Sequence, residues 1–134
     1  MTLKSLCNLL LTECMPSQYS KQMRILFWIA LLSSYILAIM PQDMAPSFQS
    51  LSDKSLHFIA FAVLTLLLNL SYHMPWWKSV LYLLFYATFI EFSQTFTPNR
   101  CAEWLDIVAD GIGIALGLIL YAGYKKLEAI CEKH

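Results

Sequence analysis

A chain of 134 residues that is 58% hydrophobic, 14% aromatic and only 13% charged, with a mean hydropathy of +0.56, is far more apolar than a water-soluble domain of its size needs to be. It reads as a membrane protein, too short to hold four bilayer crossings and a separate globular unit as well. The formal charge is zero and the basic residues are scattered around the ends of apolar runs, which suits lipid head groups and excludes a nucleic-acid surface.

The first 22 residues differ from the rest. Leu3, Leu6, Leu10 and Cys14 recur at helical spacing among polar neighbours, which suits a short helix lying on the membrane surface, and an ordinary tail fits equally well. The first apolar run, residues 23–40, is uncharged after Arg24 and is stopped by Pro41. No small-x-small cleavage site follows it, so it is read as an uncleaved first span. The second run extends from about Ser55 to Tyr72, with His57 its only ionisable member. Pro75, Trp76 and Trp77 then mark an interfacial turn, because indole rings favour the head-group level. The third run, from about Trp77 to Phe96, contains Glu91; after a turn at Pro98 and Asn99, the fourth extends from about Trp104 to Tyr124.

Within lipid every backbone polar group has to be paired inside its own segment, so each run is expected to be a helix. The expected fold is an all-α membrane protein, a four-transmembrane-helix bundle with a short N-terminal interfacial segment. Its parts are a cytoplasmic or interfacial segment over 1–22, the transmembrane domain over 23–124 and a cytoplasmic tail over 125–134. No repeat or low-complexity tract divides it further.

Lys4, Lys21, Arg24, Lys78, Lys125, Lys126 and Lys133, seven of the nine basic residues, fall on one side of this map, which the positive-inside rule assigns to the cytoplasm. The expectation is a multi-pass protein of the inner (plasma) membrane with both termini cytoplasmic. Neutrality then conceals two opposite halves: the outer carries a net −4, the inner +4. Cys7, Cys14 and Cys131 fall on the inner side, where disulfides are rare, Cys101 lies alone outside, and none has metal-binding spacing, so no intramolecular bridge is expected.

Three helix ends bring polar groups to one outer depth. They are Asp53, Lys54 and His57 on the second run, Glu91 and Gln94 on the third, and Arg100, Glu103, Asp106 and Asp110 around the start of the fourth. Within each run the spacing of three, four or seven favours a single helical face. Below Asp110 the same stripe continues as Gly113 and Gly117, a G-x-x-x-G that admits another helix closely, so the stripe is expected to face the bundle interior. Charges inside a membrane are costly and tend to be paired or functional. The structural alternatives are a packing role for His57, an N-terminal helix role for Asp53, an ion-pair role for Arg100 and a solvated loop charge at Glu103.

The blocks "DKSLHFIAFAVL" (53–64), "EFSQTF" (91–96) and "RCAEWLDIVADGIGIALG" (100–117) together resemble the signature of the VanZ-like family of small membrane proteins. The resemblance covers residues 53–117, about half of the chain, and it is specific because the three blocks occur in order. It implies that Asp53, Lys54, His57, Glu91, Gln94, Arg100, Asp106, Asp110, Gly113 and Gly117 are the characteristic positions. Asp110 departs from the pattern, which more often has asparagine there. The family takes its name from an accessory protein linked to teicoplanin resistance, so the resemblance also implies a connection to glycopeptide-antibiotic resistance.

Three readings of the polar group stay open. In the first, the protein is an enzyme or a binding protein for an outer-leaflet lipid head group or lipid-linked cell-envelope precursor. His57, Glu91 and Asp106 are then the catalytic candidates, with His57 as acid or base and a carboxylate orienting it. Asp53, Lys54, Gln94, Arg100 and Asp110 are the substrate-binding candidates, with Arg100 and Lys54 clamping an anion. In the second, His57 with Glu91, Asp106 and Asp110 offers nitrogen and oxygen ligands suited to zinc or manganese, and all-oxygen subsets suit magnesium or calcium. Neither H-x-x-x-H nor C-x-x-C spacing is present, and a basic group among the ligands argues against a cation, so the separation from Arg100 decides; no metal ligand is assigned and the cofactor is left unknown. In the third, the group is a non-catalytic ion-pair network in a membrane scaffold or partner subunit. A membrane-protein partner or a second copy fits any of the three. No phosphate-binding glycine loop and no serine nucleophile elbow is present.

Overall fold

The structure is a computed structural model that describes residues 2, 5, 17–41, 43, 44 and 53–133. The Leu3, Leu6, Leu10 and Cys14 stripe lies outside the described residues. Four long helices carry the fold: α1 (Ser17–Ile39), α2 (Asp53–Tyr72), α3 (Trp76–Gln94) and α4 (Trp104–Glu132).

The helix ends follow from local chemistry. α1 stops two residues before Pro41. Between α2 and α3 the chain reverses through His73 at φ 49°, and Pro75, with φ −58° and ψ 143°, opens α3. Between α3 and α4, Asn99 takes φ 61°, a conformation that asparagine tolerates better than most residues. Its side-chain amide donates to Asp43 Oδ2 at 3.2 Å, tying this turn to the segment after α1.

Segments Ser20–Ile39, Lys54–Tyr72 and Trp104–Cys131 are long and apolar enough to cross a membrane. The fourth member of the expected bundle, α3, is not among these three. Its 19 residues span about 28 Å, close to a bilayer core of about 30 Å, but Lys78, Ser79, Glu91 and Gln94 lower its hydropathy. Its apolar side is aromatic: Phe85 and Phe92 are 77% and 63% exposed. Ile25, Ile36 and Ile119 are likewise exposed on the other helices, so the bundle is apolar outside as well as inside. α4 continues through Lys125, which pairs with Glu128 at 2.8 Å, and so extends about two turns beyond Tyr124. One cysteine expectation is corrected: Cys101 is a free, exposed thiol, but Cys131 near the end of α4 is disulfide-bonded.

The α2 and α4 pair is the most extensive packing in the bundle. A Cβ on Gly117 would lie 2.5 Å from Thr65 Cβ and 2.6 Å from the Ala62 carbonyl, and one on Gly113 would strike the Phe58 carbonyl. The two glycines let α4 lie against the backbone of α2, as the G-x-x-x-G pattern implied. Phe27, Phe61, Leu64, Leu68, Leu83 and Ile90 fill the core between the helices. Buried hydroxyls are satisfied locally, for example Thr65 Oγ1 on the Phe61 carbonyl at 2.6 Å.

Candidate functional site

The close α2 and α4 contact fixes where the polar side chains meet. His57 lies one turn into α2, Asp106 in the first turn of α4, Asp110 one turn deeper, and Glu91 three residues before the end of α3. All four side chains are buried, with residue exposures of 8% for His57, 6% for Glu91, 6% for Asp106 and 0% for Asp110. They sit roughly 3–9 Å in from the helix ends, at 1.5 Å of rise per residue.

Two geometric facts organise them. His57 Nδ1 is 3.1 Å from Asp110 Oδ1, which orients the ring. The orienting carboxylate thus comes from one turn deeper in α4 than Asp106. A ring nitrogen of His57, an oxygen of Glu91 and an oxygen of Asp106 also all lie within 4.8 Å of one another. Among the described residues neither carboxylate oxygen of Glu91 has a hydrogen-bond partner, nor does Asp110 Oδ2. Three helices therefore bring an oriented imidazole against three carboxylates in a buried space.

Gln94 and Arg100 take a different position. Gln94 Nε2 donates to the Ala38 carbonyl at 2.9 Å, and Arg100 donates through Nε to Met40 at 3.2 Å and through Nη2 to Leu37 at 3.4 Å. These carbonyls belong to the last turn of α1 and the residue after it, where helix geometry leaves acceptors without intrahelical partners. The guanidinium suits that end of the α1 dipole. Lys54, at the start of α2, lies 2.9 Å from Glu103, with both side chains about half exposed. Asp53 opens α2, and its side chain is outside the described residues.

Two features escaped the sequence reading. α1 supplies backbone acceptors to the polar end, and carbonyls carry no signature in a sequence. A second buried polar node occupies the other half of the bundle: Ser79 Oγ donates to Asn69 Oδ1 at 2.8 Å, and Asn69 Nδ2 donates to the Thr65 carbonyl at 2.8 Å. An asparagine within an apolar run was its visible signal.

A family model described as VanZ/LLP1 matches residues 5–125. The chain belongs to the VanZ/LLP1 family. The match reaches well beyond the three blocks at 53–117 and takes in α1, whose C-terminal carbonyls Gln94 and Arg100 hold. No curated protein and no solved structure matches the chain. Within this VanZ/LLP1 fold the characteristic polar positions divide by geometry. His57, Glu91, Asp106 and Asp110 form the buried cluster, Gln94 and Arg100 clasp α1, and Lys54 meets Glu103 at the surface.

Proposed function

We propose that this VanZ/LLP1 protein recognises the head group of a membrane lipid or lipid-linked cell-envelope precursor in the outer leaflet of the plasma membrane, and acts on it through His57. The observation that carries the reading is the convergence of His57, Glu91, Asp106 and Asp110 from three helices in a buried cluster just below the helix ends. A structural network would be expected to satisfy its polar atoms, whereas both Glu91 oxygens and Asp110 Oδ2 have no partner among the described residues. Titratable groups crowded and buried in this way are typical of functional sites.

In this reading Asp110 holds His57 in orientation, and His57 serves as acid or base with Glu91 and Asp106 beside it. Lys54, half exposed beside the cluster's end of α2, draws an anionic head group. Arg100 acts indirectly, by pinning α1 alongside α3 and α4. A role in glycopeptide-antibiotic resistance follows if the lipid is an envelope precursor. The alternative of a scaffold has its own support in Gln94 and Arg100, which bind backbone and hold helices together.

The test is mass spectrometry of lipids carried by the protein in native membrane patches, for wild type and folded His57→Ala and Lys54→Gln variants. Enrichment of one lipid class with wild type, weakened in Lys54→Gln and lost in His57→Ala, is the expected result. Bulk lipid alone in all three would leave the scaffold reading. Orientation is tested at Cys101, a free exposed thiol. A membrane-impermeant maleimide should label it from outside intact cells, and labelling only in inverted vesicles would reverse the topology.

A further inference from the structure

We propose that His57, Glu91 and Asp106 are the protein ligands of a divalent transition-metal ion, zinc or manganese, with Asp110 as the carboxylate that orients the ligating histidine. The inference goes beyond head-group recognition: it keeps the head-group site proposed above and replaces the acid or base role of His57 there with that of a metal ligand.

Glu91 is the decisive side chain. It is more than nine-tenths buried and neither carboxylate oxygen accepts a hydrogen bond of good geometry among the described residues, the Glu103 backbone N–H approaching without making one, while one oxygen faces a ring nitrogen of His57 and an oxygen of Asp106 within 4.8 Å. A buried carboxylate normally has donors on both oxygens, because desolvation without compensation is costly. A cation between the three groups supplies that compensation. It also lowers the formal charge of Glu91, Asp106 and Asp110 from −3 to −1.

The distances suit a single ion. Metal bonds of about 2.0–2.2 Å in a tetrahedral arrangement put two donors on one ion about 3.3–3.6 Å apart, so ligand atoms that lie within 4.8 Å of one another draw together on binding. One imidazole with two carboxylates is a mixed nitrogen and oxygen set that suits zinc or manganese, whereas magnesium and calcium prefer oxygen alone. Three protein ligands also leave coordination positions for water or an oxygen of a bound molecule.

Asp110 strengthens the assignment. A metal-bound histidine commonly donates its second ring N–H to a carboxylate, which fixes the tautomer and raises ligand basicity. Asp110 Oδ1 stands at that position, 3.1 Å from Nδ1, which in this assignment leaves Nε2 to ligate the ion. The objection raised by the sequence, a guanidinium among the ligands, is met by geometry: Arg100 directs Nε and Nη2 to the carbonyls of Met40 and Leu37.

The test strips the purified full chain with chelator, dialyses it against Zn²⁺ or Mn²⁺, and measures bound metal per chain by plasma mass spectrometry. Co²⁺ loading gives a visible absorption band as a second readout. About one ion per wild-type chain is expected, with the cobalt band present. Glu91→Gln and His57→Gln, confirmed as folded by their melting curves, should lose both signals. Asp110→Asn should bind about 10- to 100-fold more weakly, in line with other outer-shell changes, and Lys54→Gln should bind like wild type. Wild type that retains no ion, or Glu91→Gln that retains as much as wild type, overturns the site. The two proposals fail separately: lipid enrichment without metal removes the ion and leaves recognition, and metal without enriched lipid does the reverse.

Discussion

His57 Nδ1 and Asp110 Oδ1 lie 3.1 Å apart across the α2 and α4 contact, with both side chains buried. The pair depends on the glycines below it, since α2 and α4 meet closely only where Gly113 and Gly117 lack side chains. Asp110→Asn keeps an oxygen to accept from Nδ1 and should preserve the fold. Asp110→Leu leaves a buried imidazole donor unpaired and should cost about 1–3 kcal/mol. Thermal unfolding of the detergent-solubilised variants checks the order: wild type near Asp110→Asn, both well above Asp110→Leu.

The four glycines separate into two kinds. Gly113→Ala would drive its methyl into the Phe58 carbonyl, and Gly117→Ala would place one 2.5 Å from Thr65 Cβ, so each must push the helices apart. Such overpacking typically costs about 1–3 kcal/mol. At Gly111 and Gly123 nothing lies within 4 Å of the place a methyl would take, so alanine there should be neutral or stabilising by about 0.5–1 kcal/mol. Melting temperatures for the four single variants test the division, and a drop at Gly123→Ala equal to that at Gly113→Ala would contradict it.

Helix positions were legible because lipid leaves the chain few options: long apolar runs interrupted by Pro41, Pro75 and Pro98 have to be helices with turns between them. The inward direction of Asp106, Asp110, Gly113 and Gly117 was legible too, because a seven- or four-residue interval returns to one face. What each polar group would touch was not. Gln94 and Arg100 shared a depth with His57, yet their partners are backbone carbonyls of α1, about sixty residues earlier in the chain. Depth can be read from one helix at a time, whereas contact needs the rotation and spacing of two.

Arg100 and Gln94 therefore have a local structural signature. Arg100→Lys removes the planar fork that reaches two carbonyls at once, so it should behave more like Arg100→Ala than like wild type. Each loss should cost about 1–3 kcal/mol, concentrated at the end of α1. Hydrogen exchange checks this: amides near Leu37 to Met40 should exchange faster in Arg100→Lys and Gln94→Ala, while those around Leu64 and Leu68 in the core keep their protection.

Asn69 and Ser79 test whether the second polar node is stabilising or merely tolerated. Ser79 Oγ donates to Asn69 Oδ1 at 2.8 Å, with both residues buried. Hydrogen bonds between membrane helices are worth about 0.6 kcal/mol on average and up to about 1.7 kcal/mol. Asn69→Leu alone breaks the pair and leaves the serine hydroxyl to seek a backbone acceptor, while Ser79→Ala alone leaves the Asn69 oxygen without its donor. Changing both removes the polar atoms together, so the double variant should be less destabilised than the sum of the singles, by roughly the strength of the bond. A double-mutant cycle on unfolding free energies measures this coupling directly. Strict additivity would mean that Asn69 and Ser79 are held in place by their own helices, with the bond between α2 and α3 contributing nothing to the fold.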